Sequence, residues 1–372
     1  MSQPIKLVDL VDQRLQTFLA QRTGELEAIS PELEHVTDYV QGLLGSGKRF
    51  RARFCYWGWR AIGESSDQAD VLGGIETLED VEGVLALAMS LEVFHAAALV
   101  HDDIMDNSDT RRGKPAAHKA FESFHLAQSF AGDPALFGRS TALLVGDLLL
   151  AWSDDLLTTA LSKADAEIAR ATRSEFTRMR QEVTVGQYLD IHEEAAWVNT
   201  QESERLARAL TVVTYKSAKY SMEAPLLIGA SLAGAHDAHR MALQRFGLPL
   251  GIAFQLRDDL LGVFGDSEVT GKPSGDDLRE GKRTVLIALA EAHMPLTAKR
   301  VFNEMLGDRN LTPEQISVMQ STLQDTGAVE RVEEMIESYV SEALEALDTA
   351  DLSGGAKKEL TRLAEAVTKR QA

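Results

Sequence analysis

Residues 100–114 read V-H-D-D-I-M-D-N-S-D-T-R-R-G-K, and their reading decides the fold. They close a long apolar segment. From Val84 onward apolar residues recur at three- and four-residue steps (Leu87, Ala88, Leu91, Phe94, Ala98, Leu99), which predicts a buried helix. Asp102 and Asp106 are four residues apart, so they stack about 6 Å apart on one face, with Asp103 beside them. Such carboxylates repel one another unless a hard cation lies between them, and Mg²⁺ held by one or two carboxylates and by phosphate oxygens is the usual arrangement. Arg111 and Arg112 follow, with guanidinium forks suited to phosphate. Alone, the stretch fits a solvated helix end equally well. An EF-hand loop does not fit: the third position from Asp102 is Ile104 and the twelfth is Gly113.

A second stretch, residues 251–266, repeats the pattern. In G-I-A-F-Q-L-R-D-D-L-L-G-V-F-G-D an apolar run delivers Asp258 and Asp259, with Asp266 further on. Two acidic ends on two buried helices predict one shared metal site.

The composition narrows the class. The chain has 372 residues, 44% of them hydrophobic, enough for a large core. Only nine are proline, and Ala, Leu, Glu and Arg recur at helical spacing, which predicts an all-α protein. No fixed repeat of 20–50 residues is evident, so no solenoid is expected. The single cysteine, Cys55, excludes a disulfide framework and a thiolate zinc set. A formal net charge of −19 argues against nucleic acid or an anionic membrane as a general partner. No long uncharged apolar run and no secretory pattern at the start are found, so a cytoplasmic protein without a transmembrane segment is expected.

In order along the chain, helices are expected over about residues 5–33 and 33–44. The turn G-S-G-K-R-F-R-A-R follows, where Gly45 and Gly47 break the helix before Lys48, Arg49, Arg51 and Arg53. A Gly-opened basic cluster entering a helix can hold an anion, although it is not a P-loop and alone fits a surface turn. Residues 63–82 read as an exposed connection. His95 lies two turns before Asp102 on nearly the same face, a position that also suits a core histidine. Zinc held by His95, His101, His118 and His192 is disfavoured, because hard oxygen ligands outnumber them. Residues 121–139 read as a loop or short helical excursion, followed by helices over 140–161 and about 165–195. The last carries Gly186, Gln187 and Asp190, whose bland reading is helix packing. After Glu202 comes a helix with Lys216, Ser217 and Lys219. Pro249 should start the next helix or kink it near Arg245. Residues 267–284, with Gly271, Gly275, Gly281, Lys272 and Lys282, read as a flap or a solvated loop. From Val285 onward only amphipathic helix is expected.

Taken in order, G-K-R-F-R (47–51), H-D-D-I-M-D-N-S-D-T-R-R-G-K-P (101–115), G-Q-Y-L-D (186–190), K-S (216–217), F-Q-L-R-D-D (254–259) and G-K-P-S-G-D-D-L-R-E-G-K-R-T (271–284) resemble the trans-isoprenyl diphosphate synthases. The resemblance covers about residues 40–290 by motif. It implies an isoprenoid synthase fold, a helical bundle around a deep central cavity, as one domain over residues 1–372 and usually in a homodimer. It implies Mg²⁺ on Asp102 and Asp106, with Asp103 assisting, and on Asp258 and Asp259. Arg111, Lys216, Lys272 and Lys282 would hold an allylic diphosphate. Lys48, Arg51, His95 and Arg112 would hold isopentenyl diphosphate. The Lys216 carbonyl, the Ser217 hydroxyl and the Gln255 amide oxygen would face the developing cation, and the released diphosphate would take the final proton. The sequence departs from the pattern at Gly262, where many relatives carry a third Asp, and at Ser217, Ala52 and the longer stretch 121–144.

In this family a bulky residue four or five positions before the first Asp closes the pocket early. Ala98 and Ala97 leave it open, and Phe94, roughly 12 Å below Asp102, is the next candidate floor. A geranylgeranyl (C20) product is therefore expected, with farnesyl or longer chains as alternatives. A class I terpene cyclase would need an acid at position 207, where Ala207 stands after Asn199 and Ser203. A non-catalytic partner subunit of a synthase would be expected to lose an Asp motif or a diphosphate-binding base, and nearly all are present.

Overall fold

The computed structural model describes residues 6–45, 47–62, 81–265 and 274–368. Lys272, Asp266 and the acidic connection after Gly63 lie outside the described residues. Helix α1 (Leu7–Glu27) is shorter than the sequence suggests. Ser30 is extended ahead of Pro31, because a residue preceding proline is pushed out of the helical region, and a single 3₁₀ turn, Pro31–Leu33, intervenes. Helices α2 (Glu34–Leu44), α3 (Phe50–Arg60) and α4 (Glu82–Met105) follow. After α4 comes a two-residue antiparallel ladder, Thr110–Arg111 against Lys114–Pro115. Residues 121–139, read as a loop or short excursion, belong mostly to α5 (Ala117–Ala127) and to α6 (Pro134–Leu161). Asp133 caps α6 by accepting from the Ala135 and Leu136 N–H groups, and Pro134 sits where its missing N–H costs nothing.

The chain continues through α7 (Ala166–Ala196) and α8 (Glu202–Val212) into a π-helical segment, Val213–Glu223, and then α9 (Ala224–Leu232). Helix α10 (Asp237–Phe264) neither starts nor ends at Pro249, which is buried inside it. The lost N–H bond is tolerated because apolar packing on both sides holds the helix together. The remaining elements are α11 (Asp276–Glu280), α12 (Val285–Glu291), α13 (Leu296–Met305), α14 (Pro313–Asp325), α15 (Ala328–Thr349) and α16 (Gly354–Thr368).

These elements form two compact units. The first takes in the described residues up to Glu175, with Pro225–Arg240 and Asp351–Leu360. Its spine is α4, whose Leu87, Leu91, Val93 and Ala97 are fully buried where α3 and α6 pack on it. The second takes in Phe176–Ala224, Met241–Ala350 and the chain from Thr361. Its core gathers Trp197, Leu256, Leu286, Phe302, Val332 and Ile336. Among the described residues two helices are long and apolar enough to cross a membrane by length and composition, Glu82–Met105 and Pro134–Leu161, with mean hydropathy 1.9 and 1.3. The apolar window of the first is 72% buried inside the protein, as a core helix requires.

Candidate active site

In the first unit the acidic cluster sits at the C-terminal end of α4. Asp106 caps the helix, its N–H donating to the Asp102 carbonyl at 2.8 Å. Arg112 and Gly113, both left-handed with φ of 54° and 72°, form the central pair of the following hairpin turn, the combination a tight type I′ connection needs. The turn brings Arg111 back onto the carboxylates. Its Nε donates to Asp103 Oδ1 at 2.9 Å, and its Nη2 donates to Asp103 and, at 3.3 Å, to Asp102 Oδ2.

The neighbouring aspartates therefore differ. The Asp103 side chain is only 2% exposed and bound to Arg111, whereas that of Asp102 is 20% exposed. Successive helix residues point about 100° apart, so Asp102 is half-buried where Asp103 faces the core. Ala98, one turn below Asp102, is also half-buried; Ala97 and Phe94 are buried.

The basic turn before α3 belongs to the same unit, and its anchor is Arg49. Arg49 adopts a left-handed conformation (φ 51°) at the N-cap of α3 and is 4% exposed. Its Nε donates to Asp12 of α1 at 2.8 Å, its Nη1 to Glu92 of α4 at 3.4 Å, and its Nη2 to the Leu44 carbonyl that ends α2. The other Glu92 oxygen accepts the Ala52 N–H at 3.1 Å. Three helices thus fix the loop carrying Lys48 and Arg51. Arg112 Nη1 donates to the Leu43 carbonyl at 3.3 Å. Burial, and then the positive charges of Arg51, Arg112, Arg111 and Arg49, hold the His95 imidazole well below its ordinary pKa, so it is neutral. Arg49, Asp12 and Glu92 are absent from the sequence-derived site; Arg49 was legible only as one more charge of a basic run.

The second unit carries Lys216, Ser217, Gln255, Asp258, Asp259 and Lys282. Lys216 and Ser217 lie in the π segment, a form that clusters at functional sites because its widened turn redirects backbone carbonyls. Two glycines make room for it. A Cβ on Gly186 of α7 would overlap the Lys216 backbone, and one on Gly251 of α10 would overlap the Ala218 carbonyl. Lys216 Nζ is bound to Asp190 of α7. The Ser217 hydroxyl donates to the Gln255 amide oxygen, and Gln255 Nε2 donates to Asp259 Oδ1 at 2.7 Å.

The pattern of the first cluster recurs: Asp258 is exposed and Asp259 is 6% exposed. Burial first, and then the Asp277 carboxylate, push the Asp259 carboxyl up to about 8. Lys282 Nζ lies 2.8 Å from Glu280 and 3.6 Å from Asp277. Among the described residues no three His, Cys, Asp or Glu side chains are drawn together as a metal centre; the donor types are carboxylate oxygens with lysines and arginines nearby, the chemistry of a hard divalent cation holding a diphosphate and not of zinc or a nucleophilic triad.

A family model described as polyprenyl synthetase matches residues 31–323. The chain belongs to the polyprenyl synthetase family. It is therefore a prenyltransferase with the all-α isoprenoid synthase fold. It is similar to the crystal structure of a geranylgeranyl pyrophosphate synthase from Corynebacterium glutamicum complexed with isoprenyl diphosphate and magnesium. That likeness has a TM-score of 0.89 and 38% identity over 100% of both chains. A geranylfarnesyl diphosphate synthase of Aeropyrum pernix is 31% identical over 299 residues, 79% of this chain and 84% of that one. A short chain isoprenyl diphosphate synthase of Methanocaldococcus jannaschii is 33% identical over 239 residues, 64% of this chain and 65% of that relative's length. The named products differ among these relatives, so the family fixes the reaction class and leaves chain length to the pocket.

Proposed function

We propose that this prenyltransferase condenses isopentenyl diphosphate with an allylic diphosphate in a Mg²⁺-dependent reaction, and that its product is geranylgeranyl diphosphate. The observation that carries the reaction is the cluster of Asp102, Asp106, Arg111 and Arg112 around one helix end and one tight turn, which gathers cation ligands and diphosphate donors on adjacent backbone. The family match includes stretches of both compact units, and we take residues 1–372 as one polyprenyl synthase domain.

The exposure pattern refines the roles. Asp102 and Asp106 in the first unit and Asp258 in the second would be the direct Mg²⁺ ligands, and Asp103 and Asp259 orient Arg111 and Gln255. Bound Mg²⁺ would offset the negative charge that grows on the departing diphosphate. Arg111, Lys216 and Lys282 would offer that diphosphate charge-assisted hydrogen bonds, and Lys272 is assigned to it from its motif. Lys48, Arg51 and Arg112 hold isopentenyl diphosphate, to which the neutral His95 donates a hydrogen bond. The double bond of isopentenyl diphosphate attacks the allylic carbon as its C–O bond breaks. The new cation loses a proton, which the released diphosphate accepts. The carbonyl of Lys216, within the π segment, and the Ser217 hydroxyl would present neutral dipoles to the cation, where a carboxylate would trap it.

Chain length is set along α4. Ala98 leaves the face below Asp102 open, which favours twenty carbons over fifteen. A homodimer is proposed from the exposed apolar stripe of α6, where Leu136, Leu143 and Leu144 are 57%, 51% and 66% exposed.

The test is Asp102→Ala, with circular dichroism as the control for folding. Loss of Mg²⁺-dependent turnover with helix content retained is expected. Undiminished turnover would refute the metal assignment.

A further inference from the structure

Lys282 is carried by a short non-helical segment, residues 282–284, between α11 and α12. Two grips hold that segment. On the α11 side the Lys282 N–H donates to the Asp277 carbonyl at 3.1 Å. On the other side stands Arg283, whose guanidinium lies 5.4 Å from the centre of the Trp197 ring. Trp197 opens a single 3₁₀ turn, Trp197–Asn199, that follows α7, and it is buried. Arg283 Nη1 donates to Asn303 Oδ1 of α13 at 2.7 Å and lies 3.6 Å from Glu291 Oε1 of α12. Glu291 closes the set. Its two oxygens accept the Trp197 Nε1–H at 3.2 and 3.0 Å, and one of them also accepts from Arg205 of α8. The Arg205 guanidinium lies 5.0 Å from the centre of the same ring, and its Nη2 donates to the Trp197 carbonyl at 3.1 Å. All of these residues belong to the second unit.

We propose that Arg283 is a positioning residue for the allylic diphosphate: its guanidinium, clamped against Trp197 by Glu291 and Asn303, fixes the backbone from which Lys282 reaches. The inference rests on the reading of Lys282 as a diphosphate donor. Stability alone does not account for the cluster. The side chains of Arg205, Arg283 and Glu291 are 12%, 11% and 0% exposed. Charges withdrawn this far from water can be replaced by apolar side chains of similar volume at little cost or at a gain. What the cluster supplies is direction, since a planar fork held at its edge and stacked on its face keeps one orientation. An ammonium on a flexible four-carbon stem has no such constraint of its own. The aim of Lys282 must therefore come from its backbone, and segment 282–284 has no helical ladder to fix it. Glu291 and Asn303, from the helices after Val285 in which the sequence discloses no chemistry, supply that constraint through Arg283.

The experiment is a double-variant cycle on the full chain, with geranyl diphosphate and isopentenyl diphosphate as substrates and the KM for each read separately from kcat. It compares the wild type, Lys282→Ala, Arg283→Lys, these two combined, and Asn303→Ala, with circular dichroism as the check on folding. Arg283→Lys keeps the charge and loses the fork and the stack. Lys282→Ala should raise the KM for geranyl diphosphate roughly 10–100-fold, the worth of one hydrogen bond to a charged group. Arg283→Lys should raise it on the order of tenfold and leave the KM for isopentenyl diphosphate unchanged. The combined variant should match Lys282→Ala alone, because Arg283 acts through the ammonium already removed. Losses that multiply in the combined variant would show a separate structural role and overturn the inference, as would an unchanged KM for geranyl diphosphate in Arg283→Lys. Should Arg283→Lys lose helix content, Asn303→Ala takes its place in the cycle, since it withdraws the 2.7 Å acceptor from a half-buried position. The same two outcomes then decide. A wild-type KM in Lys282→Ala overturns the reading of Lys282, and the inference with it. A raised KM there without a rise in Arg283→Lys overturns the inference alone.

Discussion

At the scale of single residues, the two D-D pairs are built asymmetrically. Asp102 is half-buried and Asp103 is buried against Arg111. Asp102→Asn should therefore raise the Mg²⁺ concentration needed for half-maximal rate. Asp103→Asn should instead raise the KM for the allylic diphosphate, because Arg111 loses its anchor. Steady-state titration of each component separates the two, and identical profiles would contradict the division of roles. Arg49 is a positioning residue, since it reaches Asp12, Glu92 and Leu44. Arg49→Ala removes the guanidinium that pairs with the buried Glu92 and should cost about 3–5 kcal/mol, read as a lower unfolding midpoint. In Arg49→Lys, which keeps the charge and loses the fork, the KM for isopentenyl diphosphate should rise more than kcat falls. His95 supplies a pH dependence. Its folded pKa is depressed, first by burial and then by four arginines, so below the unfolded value of 6.5 the unfolded state binds the extra proton. The stability this group contributes is present above pH 6.5 and is lost as pH falls below it. Denaturant midpoints measured from pH 7 down to 5 should decline less steeply in His95→Gln than in the wild type.

Among the elements, α4 and the π segment carry the chemistry, and they differ in how far the sequence discloses them. The α4 core face and its acidic end were legible, because a 3.6-residue apolar period and three aspartates are local signals. The left-handed turn at Arg112 and Gly113 was not, since it is seen only once Arg111 folds back on the carboxylates. The π segment gives no periodic signature; it exists because Gly186 and Gly251 allow α7 and α10 to approach within contact of its backbone. Pro249 does not start a helix; it lies inside α10. In residues 121–139 the loop is confined to 128–133, between a short helix and the Asp133 cap of α6. Two predictions follow at this scale. Gly186→Ala should destabilise the second unit by about 1–3 kcal/mol through overpacking and lower turnover, checked by thermal unfolding and steady-state rate. Ala98→Phe should shorten the product at little cost in stability, whereas Ala97→Phe, in a fully buried position, should destabilise the protein. Chromatography of dephosphorylated products with parallel unfolding curves distinguishes them, and an unchanged product in Ala98→Phe would remove the ruler.

For the whole molecule, a net charge of −19 coexists with locally basic diphosphate sites, because Arg49, Arg51, Arg111 and Arg112 are concentrated around one helix end. Mass measured by light scattering should correspond to two chains, and Leu144→Glu on the exposed α6 stripe should shift it toward one. The central claim is a prenyl transfer that stops at twenty carbons. It is tested most directly by incubating the purified protein with isopentenyl diphosphate, Mg²⁺ and each of dimethylallyl, geranyl and farnesyl diphosphate, then separating the dephosphorylated alcohols. A Mg²⁺-dependent twenty-carbon alcohol is the predicted result. Products ending at fifteen carbons or extending well beyond twenty would contradict the chain-length assignment, and no elongation with any primer by folded protein would contradict the proposed reaction itself.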